Sequence, residues 1–164
     1  MRAPVVVSVT AMRLSKQTTP YGLIVETGSP FDEVRITTME ALAREGFGVL
    51  TEIDVQETLK RKLGRDVGRY VILGACRPEL AFQGIDAERS LGLLLPCNVA
   101  IWDEPGNGAT VGIQRPDLMV QLTGNAALEP MAREAQERLE RVLEAVRMGA
   151  RPRREVPASS DLHP

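Results

Sequence analysis

Tyr70-Val71-Ile72-Leu73-Gly74-Ala75-Cys76-Arg77-Pro78 is the stretch that most constrains the fold of this chain. Its first six residues are strongly apolar and predict a β-strand, whereas Pro78 is typical of the first turn of an α-helix. That helix is expected to continue to about Asp86. A strand that leads directly into a helix indicates a domain of mixed α and β structure.

The segments before this stretch alternate between predicted strands and helices. Strands are expected at residues 21–26 and 47–53, and the second of these has the period of a half-buried strand. The helix between them is delimited by Ser29, a good N-cap, and Gly46, a typical C-terminal end. A short basic helix follows, with Asp54 as its N-cap.

Downstream, the pattern predicts a hairpin and then a long helix. A strand over Leu91–Leu95 is expected to lead into residues 99–102, which a Pro105-Gly106-Asn107-Gly108 turn joins to a strand at residues 110–114. After Gly124, apolar residues recur every three or four positions among Glu and Arg, which predicts the longest helix.

These elements together predict an α+β fold: a mainly antiparallel sheet with helices packed on one face and a long C-terminal helix. The 164 residues suit one domain. We expect an N-terminal extension at residues 1–20, the domain at 21–149, and a disordered tail at 150–164 because its arginines and prolines do not form a core.

Composition excludes several classes of function. With a net charge of −2 and 43% hydrophobic residues, the chain lacks the basic surface of a nucleic-acid-binding protein. No apolar run approaches the roughly 20 residues that span a bilayer, so no membrane partner is expected. Pro4 and Arg13 interrupt what would otherwise resemble a secretory signal, which favours a cytoplasmic location and reduced cysteines.

Six short runs occur in an order that resembles the family called domain of unknown function 302, over about Tyr21 to Met148. The runs are Tyr21-Gly22-Leu23, Leu42-Ala43-Arg44-Glu45-Gly46-Phe47, Glu52-Ile53-Asp54-Val55, Thr58-Leu59-Lys60, Gly74-Ala75-Cys76-Arg77-Pro78 and Leu94-Leu95-Pro96-Cys97-Asn98-Val99. The resemblance implies a compact α+β fold of the TATA-binding-protein-like kind and a homodimer. It implies no established activity.

Cys76 is the first candidate functional residue because it stands between a predicted strand and a helix N-terminus. It is either a small buried hydrophobic residue, a reactive thiol, or a metal ligand. In the reactive case, the helix N–H groups and the charge of Arg77 would lower the pKa of the thiol, and Cys76 would be the catalytic nucleophile.

Cys97 follows Pro96 and has no comparable activating neighbours, so a structural role is expected first. If the two thiols meet in space, three chemistries are open: a redox disulfide, a two-coordinate Cu(I) site, or a persulfide relay. The sequence does not decide whether they meet.

Glu52, Asp54 and Lys60 are candidate ligand-binding residues. Their ordinary interpretation is helix capping by Asp54 and a surface ion pair between Glu52 and Lys60. The alternative is that they line a small-ligand pocket beside Cys76, where their charges would bind an anion or tune the thiol.

Other common sites are poorly supported. The one histidine, His163, lies in the predicted tail, and the chain has no Cys-x-x-Cys pair, so neither zinc, haem nor a Ser-His-Asp unit is indicated. Gly106-Asn107-Gly108 suits a hairpin better than a phosphate loop. No cofactor is identified.

Three functions follow from these observations. The first is a homodimeric domain that binds a small ligand or soft metal near Cys76 and Cys97. The alternative is a thiol-dependent enzyme or persulfide carrier that uses Cys76, although a general base for it is not evident. The second alternative is a dimerisation or interaction module in which both cysteines are inert.

Overall fold

The computed structural model describes residues 16–104, 106 and 108–150. Within them, six strands form one sheet and helices pack on one of its faces. The strands are β1 (Lys16–Thr18), β2 (Gly22–Glu26), β3 (Gly48–Asp54), β4 (Tyr70–Cys76), β5 (Cys97–Glu104) and β6 (Gly108–Gln114). The helices are α1 (Phe31–Arg44), α2 (Val55–Leu63), α3 (Pro78–Ala87), α4 (Asp117–Thr123) and α5 (Glu129–Gly149).

The sheet has the order β1-β2-β6-β5-β4-β3, and every neighbouring pair is antiparallel. β5 and β6 form the predicted hairpin, in which Trp102 pairs with Thr110. Positions 105 and 107 of its turn lie outside the described residues. The predicted α+β class, with its antiparallel sheet and long C-terminal helix, is therefore confirmed.

The core lies between the sheet and the two longest helices, α1 and α5. Alternate residues of the central strands are buried against the helices, which is the period expected of a sheet with one covered face. They pack with the apolar stripe of α5. The fully buried residues of the two layers include Leu73, Val99, Ile101, Val111, Leu139, Val142, Leu143 and Val146.

In the described part of the chain, the other face of the sheet is not covered by helices. We call it the open face and define it by Ile24, Ile53, Ile72, Ala100, Trp102 and Gly112, which the strand register places side by side. Ile53 is 49% exposed, and the other five are half-buried. An apolar surface of this kind usually marks an interaction site.

The caps of α2 and α3 agree with the sequence predictions. The backbone N–H of Glu57 donates to Asp54 Oδ1 at 2.8 Å, so Asp54 caps α2. Gly64 ends that helix with φ +65°, and Pro78 is the first residue of α3. Each of these depends on residues within one helical turn, which explains why they could be predicted.

Three expected features differ in the structure. The strand expected over Leu91–Leu95 is a 3₁₀ turn at Arg89–Leu93, because a short continuous apolar run does not distinguish the two structures. The N-cap position of α1 is occupied by Pro30 and not by Ser29, because the helix begins at Phe31. The strand predicted as half-buried, β3, is exposed along nearly its whole length because it is an edge strand.

No helix in the described part of the chain is long and apolar enough to cross a membrane. The segment 151–164 of the predicted tail, and residues 1–15 of the predicted N-terminal extension, lie outside the described residues. β1 lies within the segment expected to precede the domain, where it pairs with β2.

Candidate functional site

The two cysteines lie at one end of neighbouring strands. Cys76 is the last residue of β4 and is half-buried, whereas Cys97 is the first residue of β5 and is buried; both are free thiols. The residue directly opposite Cys97 is Ala75, and Cys76 pairs with Gly48 of β3. The cysteines are therefore one position out of phase and are not a facing cross-strand pair.

Both cysteines line one cavity, which we call the cysteine cavity. Its volume is about 20 Å³, enough for about one water molecule. The structure thus brings the two candidate residues together, but it leaves too little space between them for an organic ligand. The cavity is lined by Phe47, Ala75, Cys76, Arg77, Leu80, Ala81, Leu95, Cys97, Met119, Met131 and Ala135.

Both thiols are held in their neutral form. Burial raises the pKa of the Cys97 thiol to about 11, and the repulsion between two thiolates, were Cys76 also ionised, adds to the rise. Burial also raises the pKa of Cys76, as does the carboxylate of Glu79. The lowered pKa that the reactive alternative for Cys76 requires is not found, because desolvation and Glu79 outweigh the helix N-terminus.

Arg77 does not direct its charge at the thiols as the sequence suggested. Its Nη1 donates to the backbone carbonyl oxygen of Glu45 at 3.2 Å, and its Nε lies 3.6 Å from Glu79 Oε2. Nε is buried and has no hydrogen-bond partner within the described residues. Arg77 therefore ties α3 to the end of α1, and it also lines the cysteine cavity.

Glu52, Asp54 and Lys60 lie away from the cysteines. Glu52 pairs with Leu73 and Asp54 pairs with Val71, which precede Cys76 on β4 by three and five residues. These separations correspond to about 10 and 17 Å along the strand. Glu52 and Asp54 instead line a separate polar cleft of about 190 Å³. The pocket that was to combine these charges with Cys76 is not formed.

The ion pairs of these residues also differ from the expected ones. Glu52 accepts two hydrogen bonds of 2.7 Å from Nη2 of Arg35, and not from Lys60. Lys60 Nζ lies 3.8 Å from Asp66 Oδ2. Lys60 and Asp66 are both more than half exposed, so their pair contributes little to stability.

Met119 and Met131 are the residues of the cysteine cavity that sequence reasoning missed. They come from α4 and α5 and are 1% and 5% exposed. From the sequence, Met131 is only one of the regularly spaced apolar residues of the long helix, and no pattern predicts α4. No local signal in the sequence connects either methionine with Cys76 or Cys97.

A second and larger depression, which we call the sheet groove, crosses the open face. Its volume is about 630 Å³, and all of its lining residues are uncharged. Gly112 and Ala100 form part of its floor, and a Cβ atom on Gly112 would lie 3.2 Å from the Trp102 ring. The groove is lined by Tyr21, Gly22, Ile24, Tyr70, Asn98, Ala100, Trp102, Gly112, Ile113, Gln114 and Leu118.

Two aromatic residues of the groove are held in place. Tyr70 and Trp102 stack with ring centroids 5.8 Å apart, and Trp102 Nε1 donates to Glu104 Oε1 at 2.7 Å. The indole is thus oriented by a hydrogen bond at the end of β5 while its ring remains half exposed. Rigid aromatic residues of this kind are common anchors in binding surfaces.

The described residues contain no group of three or more His, Cys, Asp or Glu residues that could hold a metal ion. His163 lies outside them. A metal site in the described part of the chain would therefore have to draw on other donors, such as methionine sulfur.

Comparison with known proteins identifies the family. The model of the family described as "Domain of unknown function DUF302" matches residues 23–146. The chain belongs to the DUF302 family. An uncharacterized conserved DUF302 protein from Bacillus stearothermophilus has a similar crystal structure, with 28% identity and a TM-score of 0.72 over 78% of this chain and 99% of that chain. No curated protein matches.

The family resemblance and the fold class that it implied are thus confirmed. Because the DUF302 family has no established activity, the function of this DUF302 domain must be argued from its surface and its hollows, above all the cysteine cavity and the sheet groove.

Proposed function

We propose that this DUF302 domain is a homodimeric binding domain and that two copies associate through the open face of the sheet. The observation that carries this proposal is the apolar character of that face. Ile24, Ile72 and Trp102 stand on it, and no charged side chain lines the groove between them. The opposite face already has a complete core, so the open face is not needed for folding of one chain.

The size of the face suits a dimer. The six strands comprise 37 residues that rise about 3.3 Å each, and neighbouring strands lie about 4.8 Å apart, so the face covers about 590 Å². A stable interface needs about 800 Å² from each partner. Side chains at the rim, such as Tyr21 (68% exposed) and Leu118, supply the remainder. A twofold axis would bring identical faces together, so one apolar patch serves both copies.

Light scattering and sedimentation velocity test the dimer. We expect the wild type to be dimeric and both Ile72→Lys and Ile53→Lys, which place a charge on the open face, to be monomeric. The matched control is Ile36→Lys in α1, where the isoleucine is 55% exposed on the helical layer. That variant should remain dimeric, and circular dichroism should show that all three variants fold.

A monomeric wild type at the highest soluble concentration would overturn the proposal. So would open-face variants that remain dimeric, because the interface would then lie elsewhere.

Binding at the two cysteines is the second candidate function, and their shared cavity favours it. Its volume of about 20 Å³ suits a single ion better than an organic molecule. Glu52, Asp54 and Lys60 are left out of this site because none of them lines the cysteine cavity. We expect the protein to act in the cytoplasm, where such thiols stay reduced.

A thiol-dependent reaction or persulfide transfer at Cys76 ranks below binding. A nucleophilic thiol needs a lowered pKa or an adjacent base, whereas the pKa of Cys76 is raised. Alkylation as a function of pH separates the two. Slow labelling of Cys76 at pH 7 is expected, whereas rapid labelling, or acceptance of one sulfur atom measured by intact mass, would restore the catalytic interpretation.

A further inference from the structure

We propose that the cysteine cavity binds one monovalent soft metal ion of the Cu(I) class, an assignment that rests on the second candidate function above. Four sulfur-containing residues line this one cavity, and each comes from a different element. They are Cys76 at the end of β4, Cys97 at the start of β5, Met119 in α4 and Met131 in α5.

The donor set selects the metal. Thiolate and thioether sulfurs are soft ligands that prefer Cu(I), whereas Mg²⁺ and Ca²⁺ require oxygen ligands. The remaining walls are hydrocarbon side chains and Arg77, so no carboxylate or imidazole lines the cavity. Zn²⁺ normally takes four ligands from Cys, His and carboxylates, and the cavity offers only two of that kind.

The volume of the cavity supports a bare ion. A space of about 20 Å³ accepts one atom without its hydration shell and excludes a chelating organic molecule. Cys97 and both methionines are buried, and Cys76 is half-buried. The ion would therefore enter past Cys76 and exchange water for sulfur ligands.

Charge balance in the site involves Arg77. When Cu(I) binds, the two thiols together release up to two protons to solvent, and two thiolates with one monovalent cation carry one net negative charge. Arg77 lines the same cavity, and its buried Nε has no hydrogen-bond partner within the described residues. This N–H would have to turn from Glu79 Oε2, 3.6 Å away, to donate to a thiolate sulfur and offset part of the negative charge of the loaded site.

Cu(I) competition tests the assignment. The reduced full-length protein is titrated under anaerobic conditions against the coloured Cu(I) complex of bicinchoninate, and loss of colour reports uptake. We expect one Cu(I) per chain and affinity that falls as the pH is lowered, because protons compete with the ion for the thiolates. Copper X-ray absorption should show sulfur scatterers, and Zn²⁺ should not displace the ion.

Variants separate the site from adventitious thiol binding. Cys97→Ala should abolish stoichiometric uptake. Met119→Leu, which keeps the buried volume but removes the thioether, should weaken binding by about 10-fold. The matched control is Met148→Leu, since Met148 is 72% exposed and does not line the cavity; its affinity should equal that of the wild type.

Absence of Cu(I) uptake by the wild type would overturn the assignment, as would uptake that Met119→Leu and Cys97→Ala leave unchanged. A protein that takes up no Cu(I) but retains an organic adduct, lost in Cys76→Ala, would keep binding at the cysteines and refute only the ion. The oligomeric state is measured separately by light scattering. Ile72→Lys, which should be monomeric, should still bind Cu(I).

Discussion

Replacing Gly84 with alanine should perturb the cysteine cavity through Met131. Gly84 is buried in α3, and a Cβ atom there would collide with Leu91 Cδ2 and lie 2.9 Å from Met131 Cε. Both neighbours are ends of flexible side chains. The least costly response is for Met131 to shift toward the cavity that it lines, which has about 20 Å³ of free space.

Two opposing terms set the expected change in stability. Alanine is favoured over glycine in a helix by about 1 kcal/mol. Inserting a methyl group into a packed core costs about 1–3 kcal/mol. The difference is a destabilisation of about 0–2 kcal/mol, and we expect about 1 kcal/mol because both neighbours can move. A displaced Met131 should also weaken Cu(I) binding by about 10-fold.

The assay is urea unfolding followed by Trp102 fluorescence, with all proteins at one concentration because dimerisation makes stability depend on it. The control is Gly92→Ala: Gly92 is exposed, and no atom lies within 4 Å of its added Cβ. Gly92→Ala should stabilise by about 0.4–1 kcal/mol. If Gly84→Ala stabilises as much, the close packing of Gly84 against Met131 is refuted.

Three further predictions concern charge and backbone conformation. The pKa of Cys97 rises from 9.0 to about 11 on folding, so the protein should lose stability as the pH rises through this range. The urea midpoint should fall accordingly, and Cys97→Ala should remove this fall. The Arg141 guanidinium lowers the pKa of Glu45 below its ordinary 4.5, so stability should fall as the pH drops below that value. In urea unfolding measured as a function of pH, Glu45→Gln should make this fall at low pH smaller. Gly46→Ala should lower the thermal midpoint more than Gly64→Ala. Both glycines have positive φ, +81° and +65°, but only the Cβ added at Gly46 collides with a neighbour, Arg77. Gly64→Ala should cost only about 1–2 kcal/mol for its backbone conformation, and equal effects of the two variants would contradict the contact with Arg77.

Much of the fold was predictable because its signals are local. The N-cap Asp54, the helix ends at Gly46 and Gly64, and Pro78 at the start of α3 are each decided by residues within a turn. The apolar spacing of α5 is equally direct, since one helix face must meet the core.

The candidate site was only half predictable. Cys76 and Cys97 could be singled out from their residue type and neighbours, and they do share a cavity. The charge state of Cys76 could not be predicted from the sequence. Arg77 donates a hydrogen bond to the carbonyl oxygen of Glu45, 32 residues away, and no local pattern indicates this contact. A nearby helix N-terminus does not by itself predict the pKa of a thiol when the burial of that thiol is unknown.

The sequence by itself determined the class of fold, the family and termini of three helices, α1, α2 and α3, because propensity, capping and alternation act over a few residues. Only the tertiary structure decided the sheet order, which exposes β3 at an edge, and the register of β3 on β4, which places Glu52 and Asp54 along the strands from Cys76. It also decided that Met119 and Met131 line the cysteine cavity. The physical reason is that burial of side chains between distant segments selects the strand pairing and helix packing, and no local pattern records which distant segments will meet.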